Sequence, residues 1–113
     1  MNIVTVIPAR KGSKSIPLKN IQPLNERPLI SYSILYSQKC PLILHTVVST
    51  DSNRIAKIAR EYNAETPFIR PDKISQDETQ DFPVIHHALK QLEKMYSMKI
   101  DAIVWLRPTS PLR

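Results

Sequence analysis

A single glycine, Gly12, in 113 residues removes two common phosphate-binding motifs at once. A Walker A loop needs two glycines and the dinucleotide fingerprint needs three. Any phosphate grip here must therefore rest on side-chain cations more than on a glycine cradle. The lone cysteine, Cys40, allows neither an internal disulfide nor a cysteine zinc cluster, which fits a reducing compartment. No apolar run approaches the ~20 residues of a membrane-spanning helix. Ile3–Ile7 is the only apolar stretch before Pro8 and Arg10, too short for a secretory leader. The expectation is a soluble, cytoplasmic chain. Aromatics are also few: one tryptophan, four tyrosines and two phenylalanines, mostly at core-like helical spacings. A single-strand nucleic-acid binder interleaves stacking aromatics with spread-out cations, so that class is disfavoured.

What the chain has is positive charge, and it is confined. The net charge is +6 with 42% hydrophobic residues, an ordinary globular composition with a bias toward anionic partners. Arg10, Lys11, Lys14 and Lys19 crowd one segment, while Arg70, Arg107 and Arg113 each follow an apolar, strand-like run.

Apolar periodicity alternates strand and helix. Ile3–Ile7 reads as a central parallel strand. Pro28 opens a helix with Leu29, Ile30, Ser33, Ile34 and Ser37 on one face. Thr46–Thr50 is a β-branched strand, and Asp51 or Ser52 can cap the next helix, whose stripe is Ile55, Ile58, Ala59 and Tyr62. Thr66–Ile69 is expected as a short edge strand, Pro67 barring it from the sheet interior. Asp81 is expected to cap a longer helix with Pro83 in its first turn and Ile85, Ala88, Leu89, Leu92, Met95 and Tyr96 on its buried side. Asp101–Leu106 is a fourth strand. The order β-α-β-α-β-α-β predicts one domain over residues 1–113, a doubly wound parallel sheet of about four strands and three helices. One face and one edge of so small a sheet should be thinly covered.

Ligands of doubly wound sheets bind beyond the C-terminal strand ends. That rule nominates 10–20, 49–52, 70–81 and 107–113, and places Asp101 at the opposite rim. The other reactive-looking residues are bland. His86 and His87 are helix neighbours that cannot share a metal as an i, i+4 pair can, Cys40 precedes Pro41 with no implied histidine, and Ser49 and Ser110 lack triad context.

The segment Val6-Ile7-Pro8-Ala9-Arg10-Lys11-Gly12-Ser13-Lys14-Ser15-Ile16-Pro17-Leu18-Lys19-Asn20 resembles the signature of the acylneuraminate cytidylyltransferases (CMP-sialic acid synthetases), roughly I-P-A-R-x-G-S-K-G-I-P-x-K-N. Pro28-Leu29-Ile30, Val48-Ser49-Thr50-Asp51-Ser52, Phe68-Ile69-Arg70-Pro71 with Asp77, and Leu106 through Arg113 look like further landmarks, in the family's order. The resemblance spans essentially the whole chain. It implies a Rossmann-like fold of the nucleotide-diphospho-sugar transferase type that uses CTP and Mg²⁺ to make a CMP-sugar and pyrophosphate. Carried over, Arg10 and Lys14 would hold CTP phosphates and act in catalysis, and Lys19 with Asn20 would orient the nucleotide. Lys11 and Ser13 would extend the phosphate grip. Arg70 would sit beside the ribose or base, with Asp77, Thr79 and Asp81 lining the same site, and Arg107 would face the base or sugar. No metal ligand is assigned within the chain.

Three positions depart from the family pattern. Lys11 stands where glycine is frequent and adds a cation. Ser15 replaces a glycine, so a positive φ there would cost of order 1 kcal/mol. Arg107 replaces a glutamine and can only donate where an amide also accepts. The family's acidic metal ligands, most of its sugar-acid site and its dimerisation element belong to a second half that these residues do not match. The chain is thus expected to be the CTP-binding N-terminal half, slow or inactive alone and able to self-associate. Its partners would be CTP and a nonulosonic acid such as neuraminate, legionaminate or a relative, with neither nucleic acid nor membrane. The related 3-deoxy-manno-octulosonate enzymes fit less well. The rival readings are a non-catalytic nucleotide- or partner-binding remnant of the family and a basic nucleic-acid-binding module.

Overall fold

The computed structural model describes residues 1–11, 23–24, 27–76 and 79–108. Strand β1 (Ile3–Pro8) leads through a two-residue antiparallel pair, β2 (Pro23–Leu24) and β3 (Arg27–Pro28), into helix α1 (Leu29–Gln38). Strand β4 (Ile43–Ser49), helix α2 (Asn53–Glu61), a 3-10 turn (Asp72–Ile74), helix α3 (Asp81–Tyr96) and strand β5 (Ala102–Trp105) follow. The main sheet has the order β4-β1-β5, with both pairings parallel. Because β4 and β5 flank β1 on opposite sides, the chain reverses winding direction at β1. That is the doubly wound arrangement.

Side-chain alternation along β1 divides the core into two layers. Ile7 joins Ile30 and Ile34 of α1, Val48 of β4, and Ile55 and Ala59 of α2 on one face. Val4 and Val6 join Val47, Ala88 and Leu92 on the other, under α3. Both faces therefore carry helices, yet the face under α1 is thinly covered over β5, where Val104, in register with Thr5, is exposed. Among the described residues β5 pairs with β1 alone, leaving its other edge open as expected. Beneath α1 the interior is polar in one place. The Ser37 hydroxyl lies 2.8 Å from both Thr5 Oγ1 and Thr46 Oγ1, so the buried hydroxyls satisfy one another while tying the helix to two strands.

Three local expectations differ from what forms. Thr66–Ile69 is not a strand; pairing with β4 stops at a single parallel bridge between Val47 and Glu65. Glu65 N–H donates to the Thr46 carbonyl and the Glu65 carbonyl accepts from Val48 N–H, but Pro67 has no N–H with which to continue the ladder. The α3 N-cap is Gln80 and not Asp81, which is the first helical residue, where a carboxylate still meets the positive end of the helix dipole. Met95 is exposed, and the buried stripe of α3 is Val84, Ala88 and Leu92, flanked by Leu89 and Tyr96. For α2, the choice of cap resolves to Ser52, whose Oγ accepts from Ile55 N–H at 3.2 Å. The helix ends at Glu61 with Tyr62 as C-cap, and Asn63 just beyond adopts φ 69°, a left-handed geometry that asparagine tolerates.

Candidate nucleotide site

The C-terminal ends of the three strands form one rim, built first by backbone. Beyond Pro8, Ala9 N–H donates to the Ser49 carbonyl at 2.9 Å, so the β1–β4 ladder runs on into the segment that carries Arg10. At Lys11 the backbone N–H donates to Asp51 Oδ1 at 2.8 Å. Asp51 thus ties the start of the cationic segment to the end of β4. Thr50 shapes the same corner: its hydroxyl accepts from Ser52 N–H at 3.1 Å and its carbonyl from Arg70 N–H at 2.8 Å.

Arg70 is the main charged group of this corner and is only 4% exposed. Its guanidinium donates to the Ser49 carbonyl at 3.0 Å and to the Ile74 carbonyl at 3.2 Å. Burial lowers its pKa, Arg10 pushes the same way, and Asp51 opposes both. An arginine remains protonated under such pressure. The rim therefore holds a permanent buried cation whose field is shared with Arg10 and only partly offset by Asp51. Arg70 Nε and Ser49 Oγ are buried without a protein partner.

A second group stands at the end of β5. Exposed Arg107 forms an ion pair with Asp81 at the start of α3, and its backbone carbonyl accepts from Ser33 Oγ at 3.1 Å. Thr79 closes a turn ahead of that helix: its hydroxyl accepts from Gln76 N–H at 3.0 Å and its N–H donates to the Gln76 carbonyl at 3.1 Å.

The expected site residues thus divide. Arg10, Lys11 and Arg70 gather with Asp51 at the β1–β4 ends; Asp81 and Arg107 pair at the β5 end; Thr79 holds the intervening turn. Ser13, Lys14, Lys19, Asn20 and Asp77, and the departure at Ser15, lie outside the described residues. Asp101 is at the far rim, as expected, with Oδ2 accepting from Asn2 N–H at 2.7 Å. Sequence reasoning put Ser49 and Asp51 in a rim cluster but gave Asp51 no task beyond capping, Ser49 no triad and His87 no metal. For Asp51 the available signal was a carboxylate directly after a β-branched strand; the other two depend on tertiary placement.

No group of three His, Cys, Asp or Glu side chains converges among the described residues. The rim carboxylates are each engaged once, Asp51 by Lys11 N–H and Asp81 by Arg107. Among the described residues this rim offers Mg²⁺ those two carboxylates and no third. No helix of the described residues is long and apolar enough to cross a membrane.

A parallel α/β sheet with cations gathered at its C-terminal rim is an arrangement in which α/β proteins bind anionic ligands. The family described as Cytidylyltransferase matches residues 4–111, and the chain belongs to that family. It is 41% identical, over its whole length, to CMP-N,N'-diacetyllegionaminic acid synthase of Legionella pneumophila, of which it covers 48%. Over 98% of its length it is 38% identical to post-translational flagellin modification protein B of Campylobacter coli, of which it covers 47%. It spans about half the length of these relatives. Among solved structures, CMP:2-keto-3-deoxy-manno-octonic acid synthetase complexed with CTP superposes with a TM-score of 0.76 at 20% identity, over 100% of this chain and 42% of that one. That likeness establishes the Rossmann-like cytidylyltransferase fold.

Proposed function

We propose that residues 1–113 form one nucleotide-binding domain that holds CTP at this rim. It would serve as part of a cytidylyltransferase that transfers CMP to a nonulosonic, sialic-type sugar acid and releases pyrophosphate. The observation that carries the reading is the convergence of Arg10, Lys11 and buried Arg70 on the ends of β1 and β4, in a chain that belongs to the family. Arg10, with Lys11, Ser13 and Lys14, takes the triphosphate, Arg10 by planar bidentate contacts and the lysines as point charges. Lys19 and Asn20 orient the nucleotide, and Arg70, Asp77, Thr79 and Asp81 bound the ribose and base. Arg107, held by Asp81, turns toward the sugar acid, where a donor-only side chain suits a carboxylate.

In the reaction, the sugar's anomeric hydroxyl oxygen forms a bond to the α-phosphorus as the bond to the bridging pyrophosphate oxygen breaks. The hydroxyl proton is released and pyrophosphate departs. Arg10 and Lys14 offset charge building on the phosphate oxygens, so these residues work by position and electrostatics. When bound, Mg²⁺ supplies further charge neutralisation to such transfers, and its ligands are assigned, with most of the sugar-acid site, to the other half of the family architecture. A cytoplasmic setting and self-association complete the proposal.

Thermal denaturation tests it. CTP should raise the melting temperature of the 113-residue chain more than ATP or GTP does, and Arg10→Ala should remove that rise. Equal shifts with all three nucleotides, or an undiminished shift in Arg10→Ala, would refute the site. Pyrophosphate release at an ordinary enzymatic rate by this chain alone would refute the assignment of essential groups elsewhere.

A further inference from the structure

The main sheet has two edges, and the described residues cap only one of them. Outside β4, the Glu65 N–H donates to the Thr46 carbonyl at 2.8 Å and the Glu65 carbonyl accepts from Val48 N–H at 2.9 Å. Pro67 then ends the pairing. Outside β5 no strand pairs among the described residues. Ala102 and Leu106 donate their N–H groups inward, to the Asn2 and Val6 carbonyls at 3.3 and 3.1 Å. Main-chain groups of successive residues face opposite edges of a strand, so Ile103 and Trp105 turn N–H and C=O outward. Natural edges are guarded by charge, proline, a bulge or a cover. Ala102-Ile103-Val104-Trp105 contains no charge and no proline, and its register with β1 is unbroken.

The residues around this edge identify its partner. Exposed Asp101 precedes the apolar run and exposed Arg107 follows it. An antiparallel copy of the same strand reverses that order, so each end meets its opposite charge. Directly opposed residues share a face and a hydrogen-bonding side, so outward-facing Ile103 must meet an odd-numbered residue of the copy. Centring the pair on Ile103 sets Arg107 against Lys99, two like charges. Centring it on Trp105 sets Arg107 against apolar Ile103. Centring on Val104 instead pairs Asp101 with Arg107 and Ile103 with Trp105, at both ends by symmetry. We propose that β5 is a self-docking edge: two copies of the chain pair their β5 strands antiparallel about a two-fold axis at Val104, joining two three-stranded sheets into one.

The inference rests on the self-association in the functional reading and deepens it by naming the surface. Ile103 and Trp105 supply the main-chain hydrogen bonds, and their side chains extend the apolar layer under α3 into the second copy. On the other face Val104, 41% exposed, meets Val104 of the second copy at a non-hydrogen-bonded position, where opposed side chains come closest. Within one chain Asp101 Oδ2 accepts from Asn2 N–H and Arg107 holds Asp81. A carboxylate accepts several bonds and a guanidinium carries five donors, so the second copy's charges add to these contacts. The pair is isologous, so it closes at two chains and leaves no β5 edge for a third.

The test begins with sedimentation equilibrium of the 113-residue chain from about 5 to about 500 μM. The mass should rise to that of a dimer and stop there. Val104→Lys sets two cations against each other at the axis and should weaken dimerisation at least about tenfold. Cross-linking then fixes the register, with exposed Cys40 replaced by serine. Val104→Cys should oxidise to a covalent dimer, because non-hydrogen-bonded partners stand within disulfide reach. Ala102→Cys, displaced along the strand from its own copy, should stay uncross-linked under the same treatment; should Val104→Lys fail to fold, the two cysteine variants carry the test. A dimer as strong in Val104→Lys, or equal cross-linking of the two cysteine variants, would overturn the inference and leave self-association to another surface. A chain that stays monomeric at every concentration would overturn both.

Discussion

The two rims of the sheet use polar residues in opposite ways. At the N-terminal rim, polar groups close on one another. Asn2 donates its backbone N–H to Asp101 and its side-chain amide to the Lys99 carbonyl. Further along β4, the two oxygens of Glu65 take the Tyr96 hydroxyl at 2.5 Å and His45 Nδ1 at 2.7 Å, while the His45 and Tyr96 rings stack at 4.3 Å. Burial, then the hydrogen bond and charge of Glu65, push the Tyr96 pKa up, so the phenol stays a donor. At the C-terminal rim, cations outnumber the described carboxylates, and Arg70, Ser49 and His87 each bury a polar atom that no protein group answers. Satisfied networks specify the structure; unsatisfied ones are where function is to be sought.

Two substitutions probe this contrast, the larger effect first. Arg70→Ala removes a buried cation and its bonds to the Ser49 and Ile74 carbonyls, and should cost about 3 kcal/mol of unfolding free energy together with the CTP-induced melting shift. Loss of one without the other, measured by urea denaturation with and without CTP, would separate bracing from binding. Tyr96→Phe deletes one hydroxyl at the closed end and should cost about 1 kcal/mol, with the CTP shift unchanged. A nucleotide effect from Tyr96→Phe would dissolve the distinction between the rims.

Much of this division was legible in the sequence because it follows from strand direction. Once Ile3–Ile7, Thr46–Thr50 and Asp101–Leu106 are read as parallel strands, Arg10, Asp51 and Arg107 must fall at one end and Asp101 at the other. Tertiary context decided the rest. Pro67 limits the fourth strand to one bridge at Glu65, and the β2–β3 pair is too short for a periodicity signal. Met95 shares the helical spacing of Leu92 without its burial; at this end of α3 it is Tyr96 that packs on the core. His87 looked like half of a surface histidine pair; only the packing of α3 over Phe68 separates it from exposed His86. Arg70 was legible as a cation after an apolar run, whereas its burial beneath the rim depends on carbonyls at Ser49 and Ile74 that no sequence pattern announces.

The central claim is that the nucleotide occupies the open rim. Chemical-shift mapping of the 113-residue chain with CTP addresses it directly. Perturbations should concentrate at Arg10, Lys11, 49–52, Arg70 and Arg107 and leave Asn2, His45, Glu65, Tyr96 and Asp101 unmoved. Perturbations centred on the second group, or spread evenly over both, would contradict the account.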